Sequence, residues 1–243
     1  MLKSLKGMLF KKNTVSGLIS IYDPLSFSEN TIYSKKQTVF SRSVKSELLD
    51  YSSDKNLMYS VYYMVTKDFD TLFFESVGIK PSIFAIKPGF IGREFNKTSS
   101  MMIEKDGNPK DSLFQVLSGD GYFLIENLDE EKEIILVKVS KGSLVCVPKN
   151  YSFVIINSSF SNNLVCISLI AKNAIFIENV LGKTSGAALY YTRNGFIKNS
   201  NIASSYKLIE YNGDYISNMS FDKEKGIYKE CTLLPEKFKF LSE

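Results

Sequence analysis

The sequence predicts an all-β protein, a sandwich or barrel of short strands. From Leu57 onward, short segments rich in β-branched and aromatic residues follow one another. Clusters of Gly, Pro, Asn, Asp and Ser separate many of them, as turns separate strands. The chain has 243 residues, 44% hydrophobic and 23% charged, which suits a globular protein with a sizeable core rather than a disordered one. Strands at this spacing are expected in sandwiches and barrels.

Taken in order, the elements begin with Met1 to Lys12, whose apolar residues are interrupted by Lys3, Lys6 and Gly7. A signal peptide needs an unbroken apolar core, and a membrane span needs roughly 20 apolar residues. Neither pattern is present, so a cytoplasmic location is expected. Ser43 to Tyr51 is predicted as a short helix capped by Ser43, with Leu48 and Leu49 on one side. Strands are predicted at Leu57–Thr66, Leu72–Glu75, Ile83–Lys87, Leu113–Leu117, Tyr122–Glu126, Ile134–Val139, Leu144–Val147, Phe153–Asn157 and Leu164–Ile170. Pro88-Gly89, Ser118 to Gly121, Lys141-Gly142 and Arg193 to Gly195 supply turns where a positive φ costs little. The last joins Ala188–Thr192 to Phe196-Ile197 as a hairpin. Asp129 to Glu133 is a charged loop tip. The expected organisation is a lead-in over residues 1–57, a β barrel over 58–172 and an extension carrying the hairpin over 173–243.

Composition narrows the chemistry. Histidine is absent, which excludes Ser-His, Cys-His and Asp-His mechanisms and every imidazole metal ligand. Lys+Arg exceed Asp+Glu by 30 − 26 = 4, too small a surplus to predict a nucleic-acid partner. The cysteines, Cys146, Cys166 and Cys231, form no close pair. Cys146 and Cys166 lie in apolar runs and read as small buried hydrophobes. Ser118-Gly-Asp-Gly-Tyr122 joins strand to strand with no following helix, so it lacks the context of a phosphate-binding loop.

Two segments carry a resemblance. Gly142-Ser-Leu-Val-Cys-Val-Pro148-Lys-Asn150-Tyr-Ser-Phe153-Val-Ile-Ile-Asn157 is similar in spacing to the second cupin motif, G-x5-P-x-G-x2-H-x3-N. Asn150 stands at its second glycine, where a left-handed turn is tolerated, and Phe153 at its histidine. Pro88-Gly-Phe-Ile-Gly92-Arg-Glu94-Phe95-Asn-Lys-Thr98-Ser-Ser-Met101-Met-Ile103 resembles the first motif of cupin-type glucose-6-phosphate isomerases, P-G-x-x-G-x-E-F-x-x-T-x-G-H-x-H. Leu113 to Gly121, Met58 to Tyr62 and Gly186 to Asn199 are similar to further stretches of that family. The resemblance covers roughly Ser41 to Asn201. It implies a cupin, a double-stranded β-helix or jelly-roll barrel, commonly a homodimer.

The resemblance also implies one divalent metal on three His and one Glu. Those positions fall on Met101, Ile103, Phe153 and Ser112. Met suits soft metals, Ser is a poor ligand, and Ile and Phe have no donor atom. No metal or other cofactor is therefore expected. Phe176 stands where family members have a Tyr beyond the last barrel strand. Glu104, Asp106 and Asp111 read as a charged surface loop with Gly107 and Pro109 rather than a rebuilt metal site. Thr98, Ser99 and Ser100 form a candidate anion cradle, equally readable as an ordinary polar turn. Tyr59 is either a substrate-facing group or a half-buried strand aromatic. Glu94 is the one candidate catalytic carboxylate, with pairing to Arg93 or Lys97 near the surface as its structural alternative. Met101, Ile103 and Phe153 read as hydrophobes filling an abandoned cavity, with an apolar ligand pocket as the rival.

Three functions remain open. One is a non-catalytic cupin acting as a sugar-phosphate-binding or scaffolding protein. Another is an isomerase or epimerase of phosphorylated sugars with a metal-independent or rebuilt site. The last is a partner protein acting through its exterior, for which Phe238, Phe240 and Leu241 would supply an apolar patch.

Overall fold

The computed structural model describes residues 14–15, 19–20, 26–51, 56–128, 133–202, 206–216 and 219–242. Met1 to Lys12 and most of the charged loop tip, residues 129–132, lie outside them. The fold is the all-β cupin arrangement, two large sheets packed face to face. The first contains β1 (Lys35–Phe40), β2 (Leu57–Tyr63), β3 (Ile79–Ile86) and three strands from further along the chain. Between β3 and those come β4 (Phe90–Ile91), β5 (Glu94–Phe95), β6 (Met101–Lys105) and β7 (Asn108–Pro109). Then follow β8 (Ser112–Ser118), β9 (Gly121–Asn127), β10 (Glu133–Val139), β11 (Leu144–Val147), β12 (Tyr151–Asn157), β13 (Leu164–Ala171) and β14 (Ile175–Glu178). The chain ends with the hairpin β15 (Leu189–Thr192) and β16 (Gly195–Lys198), then β17 (Lys207–Asn212) and the helix Gly226–Leu233.

The first sheet runs β11-β8-β13-β3-β2-β1 and the second β7-β6-β12-β9-β10-β17, with β14 also paired to β6. These pairings are antiparallel except β10–β17, which is parallel. A smaller sheet, β16-β15-β5-β4, packs outside the second.

Strand alternation explains the layers, since successive side chains point to opposite faces. Phe114 and Val116 on β8, Phe123 and Ile125 on β9, and Phe153 and Ile155 on β12 enter the shared interior. Leu113 and Leu117 face the other way, against the Gly226–Leu233 helix and the 3₁₀ turn Pro235–Leu241. Leu124, Val154 and Ile156 face the small sheet. Asn150, with φ 67°, and Gly195, with φ 98°, adopt the left-handed conformations expected of their turns. All three cysteines are free and buried.

Three expectations are corrected. Leu72–Glu75 is not a strand but part of helix α1, Thr71–Ser76. The apolar run Leu-Phe-Phe fits either state. Its surroundings decide: Phe74 is buried while Leu72 is 78% exposed, and the turn at Asp68–Asp70 leads directly into it. Ser43 does not cap a helix over Ser43–Tyr51; the segment is a 3₁₀ turn over Ser41–Glu47, broken at Val44. Phe238 and Leu241 form no exterior patch, since both are fully buried and Phe240 packs beside them.

Candidate functional site

The four positions that resemblance assigns to a metal lie among core side chains. Met101 on β6 sits directly opposite Phe153 on β12. Both are fully buried, and Ile103, two residues on and on the same face, is 3% exposed. The Phe153 ring meets Phe114 edge-on at 5.1 Å. Phe114 touches Phe123 at 5.3 Å and Phe84 at 5.9 Å, and Phe84 touches Phe176 at 5.1 Å. An aromatic ladder therefore occupies the interior, and edge-to-face contacts of this kind stabilise beyond simple burial. Ser112 is two residues before Phe114 and fully buried, and its hydroxyl has no partner among the described residues. One hydroxyl, one thioether and two hydrocarbon side chains do not fit a divalent metal. Among the described residues, no group of three or more Cys, Asp or Glu side chains is arranged to hold one elsewhere. Asp111 instead accepts the Lys149 N–H at 2.8 Å.

Beside this core lies the segment between β5 and β6, which brings Thr98, Ser99 and Ser100 together with no solvent exposure. Thr98 Oγ1 accepts the Ile155 N–H at 3.0 Å. Ser100 has a partner that the sequence did not foretell. Its N–H donates to Glu47 Oε2 at 2.7 Å, and its hydroxyl donates to Glu47 Oε1. The same hydroxyl accepts the Leu181 N–H at 2.8 Å. The anion in the cradle is thus the chain's own carboxylate, supplied from 53 residues upstream. Burial pushes the Glu47 carboxyl above its ordinary value, with Glu178 adding to the shift, while the Ser100 hydrogen bonds and Lys97 oppose it. Gly186 permits the close fit: it has φ 105°, and a Cβ there would lie 2.7 Å from the Glu47 carbonyl oxygen.

Glu94 is buried at the same place. Its Oε1 accepts the Leu49 N–H at 2.7 Å. Its Oε2 meets Lys97 Nζ at 2.7 Å, an ion pair whose angle falls outside hydrogen-bond geometry. Lys97 also donates to the Glu47 carbonyl at 2.9 Å and lies 4.8 Å from the Tyr190 ring centre. Arg93 turns away and pairs with Asp50. Of the two expected partners, Glu94 takes Lys97, and it does so in the interior rather than near the surface.

Tyr59 is fully buried, and its hydroxyl donates to Glu178 Oε1 at 3.2 Å and lies 3.4 Å from Ser99 Oγ. Burial beside Glu178 holds its phenol far above the usual range. Gln37 Nε2 donates to the same Glu178 oxygen at 3.1 Å, and the Tyr63 hydroxyl donates to Gln37 at 2.7 Å. Glu178 stands opposite Met101 across β14 and β6. Glu47, Glu178 and Gln37 escaped sequence reasoning because each lies far along the chain from its partners and in no motif.

A family model described as glucose-6-phosphate isomerase (GPI) matches residues 34–207. The chain belongs to the glucose-6-phosphate isomerase family. That match includes the Met101–Phe153 pair, the Ser100–Glu47 cradle and Glu178. No curated protein matches the chain. Solved structures similar to this glucose-6-phosphate isomerase family member include vicilin from Corylus avellana, hazelnut, with 14% identity and a TM-score of 0.40, covering 54% of this chain and 35% of that one. Procruciferin, the 11S globulin from Brassica napus, has 14% identity and a TM-score of 0.38, covering 55% and 30%. The Momordica charantia 7S globulin has 17% identity and a TM-score of 0.38, covering 53% and 34%. The chain spans about a third of the length of these structures.

Proposed function

We propose that this member of the glucose-6-phosphate isomerase family is a non-catalytic cupin that keeps the barrel as a scaffold and has lost metal-dependent isomerisation. The observation that carries this reading is the packing of Met101, Ile103 and Phe153 into the aromatic core, with Ser112 beside them. Aldose–ketose isomerisation needs a base to move a proton between adjacent carbons and a group to polarise the carbonyl. None of these four side chains does either near neutral pH. Between sugar-phosphate binding and a purely scaffolding role, the cradle favours the second. Thr98, Ser99 and Ser100 are buried, and the Ser100 donors already hold the Glu47 carboxylate. A homodimer in the cytoplasm is part of this proposal.

The test measures fructose-6-phosphate turnover and metal content on the purified chain, with chelator and with added divalent metal. The expected result is no turnover in either condition and no stoichiometric metal. Metal-dependent turnover or one metal per chain would overturn the proposal.

One observation favours the alternative, a metal-independent isomerase or epimerase. Glu178 is a partly exposed carboxylate tied to Tyr59 and Gln37 and adjacent to Met101, so it is better placed as a base than Glu94, which is consumed by Lys97 and Leu49. Turnover that persists in chelator and disappears in Glu178→Gln would establish it.

A further inference from the structure

We propose that the paired hairpin tips Gly92-Arg93 and Arg193-Asn194 form a binding site for a small organic oxyanion, a phosphoryl or carboxylate group on a flat apolar body. The site is separate from the barrel interior and from the Glu47 cradle. Ile91 pairs with Glu94 across β4 and β5, leaving Gly92 and Arg93 as a two-residue tip. Thr192 pairs with Gly195 across β15 and β16, leaving Arg193 and Asn194 as another. Glu94 pairs with Thr192, so the next opposed positions beyond that antiparallel ladder are Arg93 and Arg193. Two guanidinium groups at opposed positions suit a single anion between them, which takes charge-assisted hydrogen bonds from both.

The two arginines differ in what holds them. Arg93 is tied on one side to Asp50, with Nε 2.5 Å from Oδ2 and Nη2 3.0 Å from Oδ1. Arg193 has no acidic partner among the described residues. Its guanidinium instead lies 4.7 Å from the Phe90 ring centre and 5.9 Å from that of Phe160. An arginine held against aromatic rings keeps its N–H donors available for bidentate recognition of phosphate or carboxylate. Between the tips is a cavity of about 440 Å³ lined by both arginines together with Leu49, Phe90, Thr192 and Ile197. That volume falls in the range of small-ligand pockets, about 300–1,000 Å³. Leu49, Phe90 and Ile197 give it an apolar wall beside the cationic rim, hence a ligand with an apolar body as well as an anionic head.

The test is calorimetric titration of the full chain with phenyl phosphate, benzoate and inorganic phosphate. Saturable one-to-one binding of phenyl phosphate or benzoate is expected, at least about tenfold tighter than inorganic phosphate, from burial of the ring. Whichever of the two aryl anions binds tighter identifies the preferred head group. Arg193→Gln is expected to weaken binding by about tenfold or more, the scale of a lost charge-assisted hydrogen bond. Asp50→Asn frees Arg93 and is expected to tighten binding, a gain that a merely structural role would not produce. Absence of saturable aryl-anion binding, or binding equal in the wild type and Arg193→Gln, would overturn the proposal. So would binding lost in Ser99→Ala but retained in Arg193→Gln, which would move the anion to the buried cradle.

Discussion

Phe153 and Met101, both fully buried, decide how the barrel interior is filled. The resemblance gives each a metal-ligand role, and each now fills space. Truncating a buried Phe removes its transfer free energy and leaves a cavity, at a cost of about 3–5 kcal/mol. Phe153→Ala is accordingly expected to lower the unfolding free energy by about 3–5 kcal/mol, read as a lower urea midpoint at an unchanged denaturant slope. A variant within about 0.5 kcal/mol of wild type would mean the interior is not packed around this ring. Glu47 makes a prediction of opposite character, through pH. Its carboxyl titrates above the ordinary 4.5 in the folded chain. Between 4.5 and the raised value, the folded state therefore binds a proton that the unfolded state has released. The stability contributed by Glu47 grows as pH falls through that window and is smallest above it. Equilibrium denaturation of wild type and Glu47→Ala from neutral pH to pH 4.5 should give a difference that widens on acidification; a difference that narrows would contradict it.

At the scale of elements, the C-terminal helix depends on a side chain from the barrel. Gln115 on β8 accepts the Ile227 N–H at 3.0 Å, one of the first N–H groups of the Gly226–Leu233 helix, which have no partner within it. Gln115→Ala leaves that buried donor without its acceptor and is expected to cost about 1–3 kcal/mol, read from chemical denaturation. Cost within experimental error would mean water or another group replaces Gln115. Most of the central strands were legible in the sequence, whereas Lys35–Phe40, Met101–Lys105, Ile175–Glu178 and Lys207–Asn212 were not. Alternation of faces is a local property, and β8 to β13 fall within a residue or two of where β-branched and aromatic residues cluster. Leu72–Glu75 was not, because four residues do not separate a helix from a strand; the one-sided burial that decides it comes from the tertiary fold. The parallel pairing of β17 with β10 was also invisible, because it joins segments more than 70 residues apart and leaves no spacing signature.

For the whole molecule, the same division runs through the candidate site. The addresses of Met101, Ile103 and Phe153 could be read from two spaced motifs, because a cupin frame holds its turns and strands at fixed offsets. The cradle's occupant could not. Glu47 reaches Ser100 only when the turn at Ser41–Glu47 lies against the segment between β5 and β6, and Glu178 reaches Tyr59 only when β14 adds to β6. Sequence therefore located the positions that the resemblance assigns to a metal, and three dimensions located the groups that hold one another beside them.

The return of β17 to lie along β10 has a consequence for how the molecule meets other copies of itself. A strand such as β10, with Ile134, Ile135, Leu136 and Val137 buried in succession, would be an adhesive border if its backbone groups were open. β17 takes up those groups along its length, from Glu133 to Lys138. The border it offers in turn is six residues long, mostly exposed, and carries Lys207 and Glu210. Charged, short border strands resist the strand-by-strand growth that builds fibrils. Pairing with β17 thus leaves a short, charged strand rather than a hydrophobic one at the border of the sheet.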